Sequence, residues 1–169
     1  MMYNPFWGAF SKGFFAYGDR EDWAKVLPNN EALLWVWGGM IVATRVVWAW
    51  ANALYGFRFS NLTHRGIITA GPYRLTRHPS YLFKNLSWWL SGVPFLVVSD
   101  AETALKQSLA LLATNGVYLL RARAEEDHLS EDPTYVQYAL WVEHHSPLRH
   151  IKRWLPFLRY RGPVDARLR

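Results

Sequence analysis

The run "ALLWVWGGMIVATRVVWAWANALYGF", residues 32 to 57, has Arg45 as its only charged side chain and limits what this chain can fold into more than any other stretch. A helix needs about 20 mostly apolar residues to cross the hydrocarbon of a bilayer, so this segment is long enough to span one. Two further apolar segments follow. Residues 81 to 98, "YLFKNLSWWLSGVPFLVV", carry Lys84 near the start and Pro94 near the end, and residues 102 to 120, "ETALKQSLALLATNGVYLL", carry Lys106 one turn in. Both are marginal by the same length rule. The competing reading is three buried helices of a soluble bundle.

Charge placement favours the membrane. The connection from residue 58 to 80 holds Arg58, Arg65, Arg74 and Arg77 with no acidic residue, the "SDAE" turn at 99–102 is acidic, and the stretch after Leu120 is again rich in arginine. Alternation of this kind is what the positive-inside rule produces. It predicts a cytoplasmic 58–80 loop and C-terminus, with the N-terminus and the 99–102 turn outside. The second and third segments then form a helical hairpin whose cytoplasmic ends lie side by side. Lys84 lies close enough to the inner end to snorkel, and Lys106 to the outer end. Arg45 lies deeper and needs a protein or lipid partner.

Composition agrees. Aromatics make up 17 % of the chain, with ten tryptophans, and such rings suit a membrane–water interface. A mean hydropathy of -0.10 requires a large polar part outside the bilayer. The net charge of +6 suits anionic headgroups or nucleic acid, and the apolar runs argue against nucleic acid. Without cysteine there are no disulfides or thiolate metal sites. The opening "MMYNPFWGAFSKGFFAYGDRED" lacks a basic start and a clean apolar run, so no secretory signal is expected. The expected organisation is an interfacial aromatic segment over 1–30, a membrane domain over 31–142, and a basic aromatic tail over 143–169 that binds headgroups. The fold class is all-α, an integral membrane helical protein with about three transmembrane helices, as this length rule suggests, and a cytoplasmic C-terminal helix.

Chemistry-bearing residues gather at the cytoplasmic ends of the hairpin. Gly71, Pro72 and Pro79 set a tight extended path that presents Tyr73, Arg74, Arg77, His78 and Tyr81. Where the third segment leaves the membrane come Arg121, Arg123, Glu125 and Glu126. Arg121 precedes Glu125 by one helical turn and Arg123 precedes Glu126 by about one, spacings that allow ion pairs. A site of cations, a histidine, phenols and two carboxylates at the water–lipid boundary suits a zwitterionic ligand on one side and an apolar substrate on the other. The bland alternatives are topogenic charges for Arg74 and Arg77, a structural hydrogen bond for His78, and a solvated helix face for the glutamates. No metal site is expected. Glu125-x-x-His128 lacks a second such pair, and His144-His145 belongs to a chain with only six histidines.

In order, "GIITAGPYRLTRHPSY", an apolar hairpin, "RARAEEDHL" and "EEDHLSEDPTYVQYALWV" resemble the isoprenylcysteine carboxyl methyltransferase and phospholipid methyltransferase superfamily of integral membrane enzymes, over roughly residues 65 to 142. The resemblance implies an S-adenosylmethionine-dependent methyltransferase acting on a lipid or a lipid-soluble small molecule with a carboxylate or amine acceptor. It implies that His78 and Tyr81 touch the amino-acid or ribose part of the cofactor, that Glu125 and Glu126 hold its ammonium or ribose groups, and that Tyr73 and Arg74 shape the pocket. Arg74, His78 and Glu126 are the candidate catalytic residues. Where the family box usually continues with glycine after tyrosine-x, this chain has Phe83. That departure and the aromatic ends suit an alternative, a non-catalytic membrane subunit with the same fold in a larger complex.

Overall fold

The computed structural model describes residues 23–26, 30–56, 66–92, 101–154, 158–160 and 162. Most of the 1–30 segment, the first part of the 58–80 connection with Arg58 and Arg65, the end of the second apolar segment, half of the acidic turn and much of the basic tail lie outside the described residues. Every regular element among those described is helical.

A short helix α1, Trp23–Val26, precedes α2, Glu31–Tyr55. The start of α2 is fixed by Asn30, whose side chain accepts from the Leu33 amide at 3.2 Å, and Glu31 places negative charge at the positive end of the helix. Gly56, with φ 51°, ends it in a conformation that favours glycine. This is the one helix among the described residues that is both long and apolar enough to cross a membrane, and only 11% of its most apolar window is buried. A soluble core helix of this composition would be largely enclosed. Here Trp35, Val36, Val42, Val46 and Trp50 face outward, and an apolar surface of this extent calls for lipid or a partner.

The chain then runs through a 3-10 turn, Gly71–Arg74, into α3, Pro79–Gly92, and on to α4, Ala101–Leu129. Helix α3 lies along α2. The Trp37 indole donates to the Leu90 carbonyl at 2.8 Å, and the Ser80 hydroxyl donates to Asn52 Oδ1 at 3.1 Å. At the rise of an α-helix, 29 residues make α4 about 43 Å long. It turns Leu105, Leu109, Leu112, Val117 and Leu120 outward. Its end meets the start of α3, as the hairpin expectation requires. Lys106, expected from the sequence to snorkel at the outer end, pairs with Glu102 at 2.5 Å within the first turns of α4.

Pro133 begins a new helix and so does not kink the old one. The Asp132 side chain accepts from the Thr134 amide at 2.7 Å, and proline at the first helical position loses no hydrogen bond, so α5 runs Pro133–His145. A short α6 follows, Arg149–Trp154. The best-packed apolar cluster sits on α5, where Tyr135, Tyr138, Ala139 and Val142 are buried against Ile67, Tyr73, Leu129 and Tyr160. Two bonds tie this cluster to the 71–75 turn. Tyr138 donates its hydroxyl to the Tyr73 carbonyl at 2.8 Å, and the buried Ser146 hydroxyl donates to the Leu75 carbonyl.

Gly71 is the point where the turn presses on α2. Its φ of +59° lies in the left-handed region, and an added Cβ would sit 2.8 Å from Leu54 Cδ1 and 3.1 Å from the Trp50 ring. Gly71→Ala is therefore expected to lower stability in detergent by about 1–3 kcal/mol, the cost of a strained residue of this kind, read as a fall in unfolding midpoint. An unchanged midpoint would mean that the turn does not pack on α2 in this way.

Candidate functional site

The start of α3 and the end of α4 bring four of the sequence-selected residues into direct contact. His78 Nε2 lies 3.0 Å from Glu126 Oε1, and His78 Nδ1 lies 3.8 Å from Glu125 Oε2. Tyr81, one turn into α3, donates its hydroxyl to Glu125 Oε1 at 2.5 Å. Its ring is nearly parallel to the His78 ring, with centroids 5.7 Å apart. Arg121, one turn before Glu125 on α4, donates Nε to the same Oε1 at 3.1 Å, as the spacing of the two residues predicts.

Glu126 takes its charge partners from across the fold. Arg77 Nε donates to Glu126 Oε1 at 2.6 Å, NH1 to Glu143 Oε2 at 2.8 Å, and NH2 to the Leu158 carbonyl at 3.1 Å. The guanidinium also stands 5.3 Å from the centre of the Tyr160 ring. Tyr160 in turn pairs its hydroxyl with that of Ser130 at 2.6 Å. All three guanidinium nitrogens are used, and only 6% of the Arg77 side chain is exposed, against 12% for Glu126 and 21% for Glu143. Arg77 is thus a buried hub and not a topogenic surface charge. Its partners lie so far along the chain that no local pattern links them.

The other two selected residues sit elsewhere. Tyr73 turns toward α2, donating its hydroxyl to the Ala51 carbonyl at 3.4 Å, and packs against the α5 cluster. Burial, with the nearby charges of Tyr55 and Glu125, pushes its phenol up to about 12, so it remains a neutral donor at physiological pH. Arg74 is exposed and lies 5.9 Å from the centre of the Trp141 ring on α5. Neither residue touches the His78–Glu126 pair, so a direct contact to chemistry at that pair is not what the geometry offers Arg74. Lys84 does not snorkel outward either. It reaches across the hairpin to donate to the Tyr118 hydroxyl at 2.8 Å. Arg45, mid-helix in α2, is exposed on its surface.

Electrostatics hold the two glutamates differently. Burial works to raise the Glu126 carboxyl, but the hydrogen bond with His78 and the charge of Arg77 outweigh it and keep the group below its ordinary value. For Arg77, burial works to weaken the proton's hold, and the charge and hydrogen bonds of Glu126 and Glu143 more than reverse it. The result is a fixed carboxylate, Glu126, beside one that is more accessible, since 31% of the Glu125 side chain is exposed.

A family model for isoprenylcysteine carboxyl methyltransferases matches residues 34–131, which is more than half of the 169-residue chain. A search of curated proteins and a search of solved structures returned no match.

Two outcomes are expected from the buried cluster. Arg77→Met removes the guanidinium that Glu126 and Glu143 share and should cost about 3–5 kcal/mol, the usual penalty for breaking a buried pair from one side. Chemical unfolding in detergent measures it, and a loss below about 1 kcal/mol, the worth of an exposed pair, would contradict the burial. The second outcome concerns pH. Because Glu126 has a lower value folded than unfolded, its contribution is fully present above the ordinary carboxyl range and is lost as pH falls through the lowered value. Glu126→Gln should therefore be less stable at neutral pH and show a flatter acid limb. An acid limb as steep as that of the parent would show that other groups set it.

Proposed function

Because the chain belongs to the isoprenylcysteine carboxyl methyltransferase family, a family of membrane methyltransferases, we propose that it transfers a methyl group from S-adenosylmethionine to a lipid or lipid-soluble acceptor. The observation that carries this reading is the convergence of His78, Tyr81, Glu125 and Glu126 where α3 and α4 meet. The residues fit the cofactor. Its ammonium and ribose hydroxyls are donors, and an ionised carboxylate accepts several hydrogen bonds. Glu125 has only part of that capacity taken up by Tyr81 and Arg121, and it is the more exposed of the two glutamates. Bound there, S-adenosylmethionine supplies a methyl group on a sulfonium, open to in-line attack.

The chain's own residues provide placement and charge balance. Glu126, held by Arg77, fixes the His78 ring. Glu125, held by Arg121 and Tyr81, is the carboxylate placed to receive the cofactor's ammonium. A carboxylate acceptor needs no base, whereas an amine acceptor must lose a proton, for which His78 or Glu125 is available. Tyr73 and Arg74 act from outside this contact set, as supports of the turn that carries His78.

In this reading α2, the second apolar segment and the lower part of α4 span the bilayer. The 58–80 loop, α5 and the tail lie in the cytoplasm, the 1–30 segment rests in the interface, and 31–142 forms the methyltransferase domain. Membrane lipids surround the apolar helix faces.

The test is calorimetric binding of S-adenosylmethionine to the detergent-purified chain beside His78→Ala and Glu125→Gln. Micromolar binding, weakened at least about tenfold in each variant as for loss of a hydrogen bond to a charged group, is expected. Folded protein that binds no cofactor would refute the methyltransferase reading and favour a non-catalytic subunit of a larger membrane complex.

A further inference from the structure

One turn deeper in the hairpin than Tyr81, the Lys84 ammonium is enclosed by aromatic rings. Its Nζ lies 3.9 Å from the centre of the Tyr118 ring, 5.3 Å from that of Trp88 and 5.9 Å from that of Tyr81. Tyr118 in turn touches both other rings, at 5.4 Å from Tyr81 and 6.0 Å from Trp88. Together they form a continuous wall around one cation. Spacing on α3 explains the arrangement, since Tyr81, Lys84 and Trp88 recur at three and four residues and share a helix face.

Ring faces attract a cation through their quadrupoles but leave its net charge in place. Arg77, Arg121 and Lys106 each have a carboxylate within ion-pair distance. Among the described residues no carboxylate stands in that relation to Lys84. A half-buried cation in a membrane-facing hairpin is costly without a counter-ion. An ammonium has three donors, and the Tyr118 hydroxyl accounts for one.

We propose that Lys84, held by Tyr81, Trp88 and Tyr118, is the subsite for the anionic headgroup, carboxylate or phosphate, of an amphiphile that enters between α3 and α4 from the bilayer. The inference rests on the methyltransferase reading above and names the residue that selects the charge of its acceptor. Tyr81 links the two sites, because its ring belongs to the wall around Lys84 while its hydroxyl binds Glu125. An anion at Lys84 is therefore one aromatic ring away from the glutamate pair. The same ammonium repels a cationic headgroup, so between acidic and amine acceptors it selects the acidic class.

Four amphiphiles of equal chain length test this: oleate, oleyl phosphate, oleylamine and oleyl alcohol, titrated calorimetrically into the full chain in a nonionic detergent. The expected result is saturable binding of one or both anions, with the amine and the alcohol at least about tenfold weaker, as for loss of a hydrogen bond to a charged group. The tighter of the two anions identifies the headgroup chemistry. Lys84→Gln should lose the anion preference while binding the alcohol as before, and Lys84→Arg should keep the preference. Equal affinity for all four headgroups, or an anion preference that survives in Lys84→Gln, would overturn the proposal. S-adenosylmethionine titrated into the same preparation separates the two readings. A Lys84-dependent anion preference without cofactor binding leaves this subsite standing and removes the methyltransferase reading, while cofactor binding without headgroup preference does the reverse.

Discussion

A guanidinium that has left water must find all of its compensation inside the protein, and the arrangement around the candidate site follows from how Arg77 does so. It stands between Glu126 of α4 and Glu143 of α5 and donates to the Leu158 carbonyl of the C-terminal segment. Three elements distant in sequence are therefore referenced to the residue that immediately precedes His78. His78 sits against the same oxygen of Glu126 that Arg77 binds. The energetic logic is that of any buried ion group: the intact set is tolerated, while removing one member leaves an uncompensated charge in low dielectric. That logic explains why the turn carrying His78 is so closely specified, by Gly71 against α2, by Tyr138 and by Ser146.

The polar cluster and the apolar helices solve one problem from two sides. Helix α2 leaves most of its apolar surface outward, and α4 has no buried residue along its length. Neither helix is stabilised by a water-excluding core of its own. The packing that fixes the hairpin end is instead supplied by the aromatic cluster on α5 and by charge-assisted bonds at the end of α4. A site built there has fixed charges on one side and open hydrocarbon-compatible surface on the other. This arrangement suits the proposed methyl transfer, with a polar donor and an acceptor group carried on an apolar chain.

Much of this was legible in the residues. The spacing of Arg121 and Glu125 predicts their pair, and the ordered motifs place His78 and Tyr81 opposite Glu125 and Glu126; the extended path expected from Gly71, Pro72 and Pro79 is instead a 3-10 turn over Gly71–Arg74, because Pro72 at its start has the helical φ and no amide to satisfy. Arg77, Arg74, Tyr73 and Lys84 were not legible in the same way. Local periodicity tells which face of a helix a side chain occupies, not which distant element covers it. Arg77 and Arg74 look alike as cations of one basic loop, yet one meets Glu126 across 49 residues and the other lies over Trp141 at the surface. No local pattern announces the bond from the Tyr73 hydroxyl to the Ala51 carbonyl. Lys84 near a span end suggests snorkelling, and only the approach of α4 offers it Tyr118.

Arg77 and Glu126 act as one unit that fixes the site. The decisive experiment is a double-mutant cycle between Arg77→Met and Glu126→Gln, read as unfolding free energy in detergent. The double variant is expected to lose less than the sum of the two single losses, with a coupling of about 1–3 kcal/mol, as for contacting groups in a shared network. Losses that simply add would show that the two residues do not depend on each other and do not fix the site together.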